Sequence, residues 1–168
     1  RLRSIQQLST CEYVFPAANH NRFSHSLGAY HLATKLTQLI QEVQPGIIDD
    51  NDAELVQLAA LLHDIGHPPY SHLLETPKVF ATFHSHEHWG RLLLESDETE
   101  IGRVVKEILG SERLGRLFAI MDGDSVHDGA AIPHFMKEIV SSQLDVDRMD
   151  YLVRDQANTG AQIGGFDI

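Results

Sequence analysis

The segment Leu55-Val56-Gln57-Leu58-Ala59-Ala60-Leu61-Leu62-His63-Asp64-Ile65-Gly66-His67-Pro68-Pro69-Tyr70-Ser71-His72 constrains this chain more than any other. Its first half is apolar almost all round, the pattern of a helix enclosed by other elements. The helix then meets a His-Asp pair and is stopped by Gly66, Pro68 and Pro69. Three histidines and one aspartate stand within ten positions at the edge of a hydrophobic core. Polar groups are costly there unless something binds them. Imidazole nitrogens beside a carboxylate oxygen point to a metal ion, with phosphate next to it.

A chain of 168 residues, 42% hydrophobic and 22% charged, is sized and composed like one soluble domain. It carries no apolar run long enough for a membrane span and no signal peptide. It opens at Arg1 in mid-pattern, so residues 1–168 read as a single domain within a longer protein. One cysteine, Cys11, excludes an internal disulfide and a Cys-rich zinc site, is expected to be half-buried, and fits a reducing cytoplasm. The formal charge of −11 argues against a general nucleic-acid surface, which would be basic. An anionic substrate would then need a local cationic pocket or a metal.

Helical periodicity dominates, and no stretch alternates cleanly enough for a strand. Residues 1–9 read as helical and 10–21 as a loop around Pro16. A long helix is expected over 22–43, with His25, Leu32, Leu36, Leu39 and Val43 on its inward stripe. Ser24, His31, Lys35, Gln38 and Glu42 fall on the opposite side, and Arg22 lies close to the face of His25. The central helix is expected over 53–64 with Asp52 as its N-cap. Ser85 to Trp89 reads as a helix start, with Trp89, Leu92 and Leu93 in the core. Ile101, Val104, Val105 and Ile108 mark another helix, residues 121–129 a turn-rich loop, and Pro133 the first turn of a helix. The last helix, over 143–157, has Met149, Leu152, Val153 and Gln156 on one face and Asp147, Tyr151, Arg154 and Asp155 on the other. A second pair, His127-Asp128, lies in the turn-rich loop and reads as surface; a dipeptide alone proves little. His84 and His88 read as pocket rim or surface, and His20 and His134 as structural. His25, inward on the neighbouring helix, and Asp147 are the natural companions of His63 and Asp64.

Three motifs together resemble the HD-domain phosphohydrolases. They are Asn21-Arg22-Phe23-Ser24-His25-Ser26-Leu27-Gly28, then His63-Asp64-Ile65-Gly66-His67, then Asp145-Val146-Asp147-Arg148 with Asp150-Tyr151 and Arg154-Asp155. With Arg1-Leu2-Arg3-Ser4-Ile5-Gln6-Gln7-Leu8 and Val14-Phe15-Pro16-Ala17, the chain looks most like the deoxynucleoside triphosphate triphosphohydrolases, the group of the SAM-and-HD-domain enzyme and its bacterial relatives.

The resemblance implies an all-α fold, an HD-domain helical bundle around a mononuclear metal site. His25, His63, Asp64 and Asp147 would hold one divalent ion (Mn, Fe, Ni, Zn, Co or Mg). Arg22, His67, His72 and His86 would surround the phosphates, with His86, Glu87 and His67 as the catalytic group. Gln7, Leu8, Tyr151 and Asp155 match positions that read the sugar, and Arg148 a basic position that contacts phosphate. The implied reaction is hydrolysis of a deoxynucleoside triphosphate to deoxynucleoside and tripolyphosphate, in a protein that can be a homo-oligomer. The sequence departs from the family's Gly-rich stretch at Ser9-Thr10-Cys11-Glu12, which predicts a different sugar pocket. Two competitors are an HD phosphatase or phosphodiesterase for another nucleotide, and a non-catalytic nucleotide-sensing HD module. The Gly-Tyr-Pro signature of cyclic dinucleotide phosphodiesterases is absent.

Overall fold

The computed structural model describes residues 1–76, 84–122, 126–127 and 130–162, the last group including two residues (130 and 131) that, like 126 and 127, are described by backbone only. Six α-helices account for most of these residues: α1 Arg22–Val43, α2 Asp50–Leu62, α3 His86–Glu95, α4 Glu100–Asp122, α5 His134–Val140 and α6 Val146–Thr159. The expected all-α class is the class observed. The described β structure is one antiparallel ladder pairing Val126–His127 (β1) with Ala130–Ala131 (β2). Its first strand lies within the expected turn-rich loop and its second just after it; residues 123–125 and 128–129 of that loop, including Asp128 of the second His-Asp pair, fall outside the described residues. None of the described helices is long and apolar enough to cross a membrane.

α2 is the central element, as its composition requires. Leu55, Val56, Ala59 and Ala60 are fully buried, and α2 packs against α1, α4 and α5. α1 also packs along α6, and α3 packs on α4. α4 is two helical pieces joined at Gly110, whose φ of 68° lies in the left-handed region that glycine enters without penalty.

The local signals set the helix ends. Asn21 caps α1 by accepting from the Ser24 amide, and Ser85 caps α3 by accepting from the His88 amide. Asp49, not Asp52, caps α2, and its carboxylate accepts from the Asp52 amide; α2 therefore starts three residues earlier than expected. Pro133 is the N-cap of α5 and not a residue of its first turn. α6 runs from Val146 to Thr159, later than expected at both ends: Asp145 caps its start, and Gly160 ends it in the left-handed conformation.

Four other expectations are corrected. Residues 1–9 form a short 3-10 turn at Leu2–Ser4 and then irregular chain, because the backbone pairs Gln6 with Asn21 and Ser9 takes a positive φ. Leu39 and Val43 are exposed, because the buried track of α1 runs through Ala29, Ala33 and Thr37. Trp89 and Leu92 are exposed because α3 buries Gly90 and Leu94 instead, and Trp89 packs edge-on against His84 and His88. Cys11 is exposed on a 3-10 turn.

Candidate metal centre

His63 is the C-cap of α2, and the chain turns immediately after it, so the neighbouring side chains of His63 and Asp64 leave the helix end on different headings. His63 Nδ1 lies 2.8 Å from the Ala60 carbonyl. The hydrogen therefore sits on Nδ1, and Nε2 presents its lone pair. His25, fully buried on α1, is held in the same way: its Nδ1 donates to Asp150 Oδ2 at 2.7 Å, leaving Nε2 free.

The two Nε2 atoms are buried and have no hydrogen-bond partner. They converge on Asp147 Oδ1 from α6, 3.0 Å from His25 and 3.6 Å from His63. His25, His63 and Asp147 thus each bring one ligand atom within 4.8 Å of the other two. Lone pairs facing a carboxylate oxygen repel until a cation lies between them. The donor set of two imidazoles and a carboxylate suits a divalent transition ion. Electrostatics shows the same demand for positive charge. Burial alone would lower the His25 pKa, yet the surrounding carboxylates of Asp147, Asp150 and Asp64 raise it to about 9, so without a metal ion a proton fills the same place. Burial would raise the Asp147 carboxyl, but His25 and His63 hold it below the ordinary carboxylate range.

Asp64 stands beside this trio. Its oxygens are 3.4 Å from His63 Nε2 and 3.6 Å from His25 Nε2. Oδ2 accepts from Arg22 Nη1, and Oδ1 is 3.2 Å from His67 Nε2. Buried Arg22 also donates from Nε to Ser71 Oγ at 2.9 Å. Arg22 therefore reaches the cleft already tied to the His-Asp motif and the loop after it. Burial lowers the His67 pKa to about 4 despite its bond to Asp64, so its ring is neutral.

A cleft of about 300 Å³ opens over these groups. His67, His72, His86, Glu87, Gln7 and Tyr151 are among the residues that line it. Gln7 Oε1 is buried and unpartnered. Besides His25, which is fully buried, three expected site residues do not line it. Leu8 is half-buried elsewhere on the N-terminal segment. Arg148 is half-exposed and donates to the Ser142 carbonyl at 3.1 Å. Asp155 is buried against His20, with 2.7 Å between His20 Nε2 and Asp155 Oδ1. The common reason for the last two is the rotation of α6. Its buried positions are Val146, Asp150 and Asp155, whereas Val153, expected on an apolar face, is exposed.

Two acidic residues with evident work in the cleft had no role assigned from sequence. Asp150 orients His25 and is itself gripped by Arg154, whose Nε and Nη2 both donate to it at 2.8 Å. Its i, i+3 spacing from Asp147 was the available signal. Glu75 reaches His72 and His86, 2.9 and 3.1 Å from their Nδ1 atoms. It sits three residues after His72, the only hint in the sequence.

Residues 22–155 match the HD domain family. The chain belongs to the HD-domain family. The match covers all three motifs that build this centre. This HD domain is 38% identical over its whole length to YwfO, an uncharacterised protein of Bacillus subtilis (strain 168), spanning 36% of that protein. It is 35% identical to the human deoxynucleoside triphosphate triphosphohydrolase SAMHD1, covering 96% of the chain and 29% of the enzyme. A crystal structure of a phosphohydrolase from Bacteroides thetaiotaomicron superposes with a TM-score of 0.76 at 39% identity, covering 98% of this chain and 37% of that one. The HD domain thus spans between 29% and 37% of the length of these relatives.

The His25–Asp150–Arg154 chain gives a direct expectation for this HD domain. Asp150→Ala should leave the three ligand atoms in place but free the His25 ring, weakening divalent-ion affinity by roughly 10–100-fold. Isothermal titration with Mn measures it; unchanged affinity would show that Asp150 does not orient the ligand.

Proposed function

We propose that this HD domain is the hydrolytic core of a divalent-metal-dependent nucleotide phosphohydrolase. Its substrate would be a deoxynucleoside triphosphate, cleaved at the α-phosphate to a deoxynucleoside and tripolyphosphate. The observation that carries the reading is the pair of buried, unpartnered Nε2 atoms of His25 and His63 converging with Asp147 at the floor of a histidine-lined cleft. The name of the human relative, a deoxynucleoside triphosphate triphosphohydrolase, supports the choice of substrate.

His25, His63 and Asp147 would hold the ion, with Asp64 completing the set. A divalent ion bound there lowers the pKa of water and neutralises phosphate charge. The remaining work is positioning and electrostatics. His67 and His72 line the phosphate side, with His72 as the hydrogen-bond donor. Arg22, fixed by Asp64 and Ser71, adds a permanent positive charge beside them. His86 is held from both nitrogens, by Glu75 at 3.1 Å and Glu87 at 3.3 Å. It would give a proton to the leaving 5′-oxygen as the bond from water oxygen to α-phosphorus forms and the bond from α-phosphorus to that 5′-oxygen breaks. Gln7, with its unpaired carbonyl oxygen, and Tyr151 face the sugar.

The test is incubation of the purified protein with dNTPs, NTPs and monophosphates in the presence of Mn or Mg. Tripolyphosphate released from dNTPs is the expected result. Release of orthophosphate from monophosphates alone would assign an HD phosphatase instead, and no turnover with any nucleotide would favour a sensor module.

A further inference from the structure

A second set of donors converges in the cleft, apart from His25, His63 and Asp147. His67 follows the end of α2, Glu75 closes the 3-10 turn Ser71–Leu74 that carries His72, and His86 opens α3. Each presents one ligand atom within 4.8 Å of the other three. The rings of His67 and His86 stack at 3.8 Å between centroids, and His72 stands edge-on to both at 4.7 and 5.4 Å. Glu75 lies at the meeting point, 2.9 Å from His72 Nδ1, 3.1 Å from His86 Nδ1 and 3.8 Å from His67 Nδ1.

His67 decides what this cluster wants. It is 1% exposed. Its Nε2 faces the Asp64 carboxylate at 3.2 Å, so the ring hydrogen belongs on Nε2. Nδ1 then carries a lone pair, is buried, and has no hydrogen-bond partner. It points toward a Glu75 oxygen that is equally electron-rich. A buried nitrogen lone pair set against a carboxylate is unfavourable unless a cation separates them. Asp64 behind the ring is the carboxylate support that metal-ligating histidines usually have.

We propose that His67, His72, Glu75 and His86 form a second cation site beside the first, made of three imidazole nitrogens and one carboxylate oxygen. Nitrogen-rich donors of this kind select Zn or a similar transition ion and not Mg, which takes oxygen ligands. The site requires no particular substrate. Under the function proposed above, its ligands are the histidines that face phosphate, so an ion there occupies the substrate-free cleft and competes with the phosphate chain.

Zinc stoichiometry tests this on the purified, metal-stripped protein, equilibrated with excess Zn, passed through a desalting column and measured by mass spectrometry of the metal. Two equivalents per chain are expected. His72→Ala and Glu75→Gln should each lose one equivalent or weaken it by more than about tenfold. Asp147→Ala should lose the other. The His72 side chain is two-thirds exposed, so its replacement does not threaten folding. A single equivalent in the unaltered protein overturns the proposal. So does a second equivalent that survives both His72→Ala and Glu75→Gln, since the ion would then lie elsewhere. The nucleotide assay is read separately, so loss of either proposal leaves the other standing.

Discussion

Asp147→Ala should strip the ion from the centre of His25 and His63 and abolish nucleotide hydrolysis, whereas His86→Ala should keep that ion and lose turnover. Asp147 is the anionic member of the converging trio, and its Oδ1 is the atom toward which both orphan nitrogens point. Without it, the two imidazoles keep only Asp64, whose charge is shared with Arg22 and His67. The loss of metal affinity should therefore exceed the roughly 10–100-fold cost of removing an outer partner. Asp147 is one-third exposed, so the fold should survive its truncation. His86 has no contact with the trio and lies across the cleft between Glu75 and Glu87. Removing a general acid typically costs about 10²–10⁴ in rate. Metal analysis and steady-state kinetics on both variants check the division of labour. A full complement of metal in Asp147→Ala, or near-normal turnover in His86→Ala, would defeat it.

Gly66→Ala should lower both stability and turnover. Gly66 lies between Asp64 and His67, and a β-carbon there would run into the carbonyl oxygen of His86 and the backbone of Gly90. Those are backbone atoms of α3, with no rotamer by which to move away. Overpacking of this kind costs about 1–3 kcal/mol, and each kcal/mol lowers Tm by roughly 2–4 °C in a chain of this size. The strain would part the turn that carries His67 from the helix that carries His86, and misplacement near 1 Å can cost about 10²-fold in rate. Thermal denaturation and the nucleotide assay measure the two effects. A Tm and rate equal to those of the unaltered protein would show that α3 can retreat. Gly28 holds the corresponding position between α1 and α6, where a β-carbon would meet Asp150 and Arg154.

Much of this architecture is legible in the chain because it depends on local rules. The 22-residue span of α1 follows from its Asn21 cap and from the turn at Pro45-Gly46. The burial of α2 follows from its composition, and its end from Gly66 and the prolines. His25 is inward and His31 outward because a helix period of 3.6 residues puts them on different faces. His20 pairs with a buried aspartate and His84 lies exposed, in keeping with the structural and surface roles read for them.

The helical class, the position of the central helix and the histidines able to meet can therefore be read from the chain alone. Periodicity and capping act within a few residues and are written where they act. Which face of α6 turns inward depends instead on contacts distant in sequence. The pattern sets Leu152 and Val153 on one face and Asp155 on the other, but Asp150 and Asp155 are the buried positions, because α1 and the segment leading into it supply His25 and His20 as partners 2.7 Å away. A polar helix face becomes a buried one only when another element brings the matching donors, and no local rule can announce that. Glu75 is the same case: it is one acidic residue in a loop until the fold sets three histidines around it.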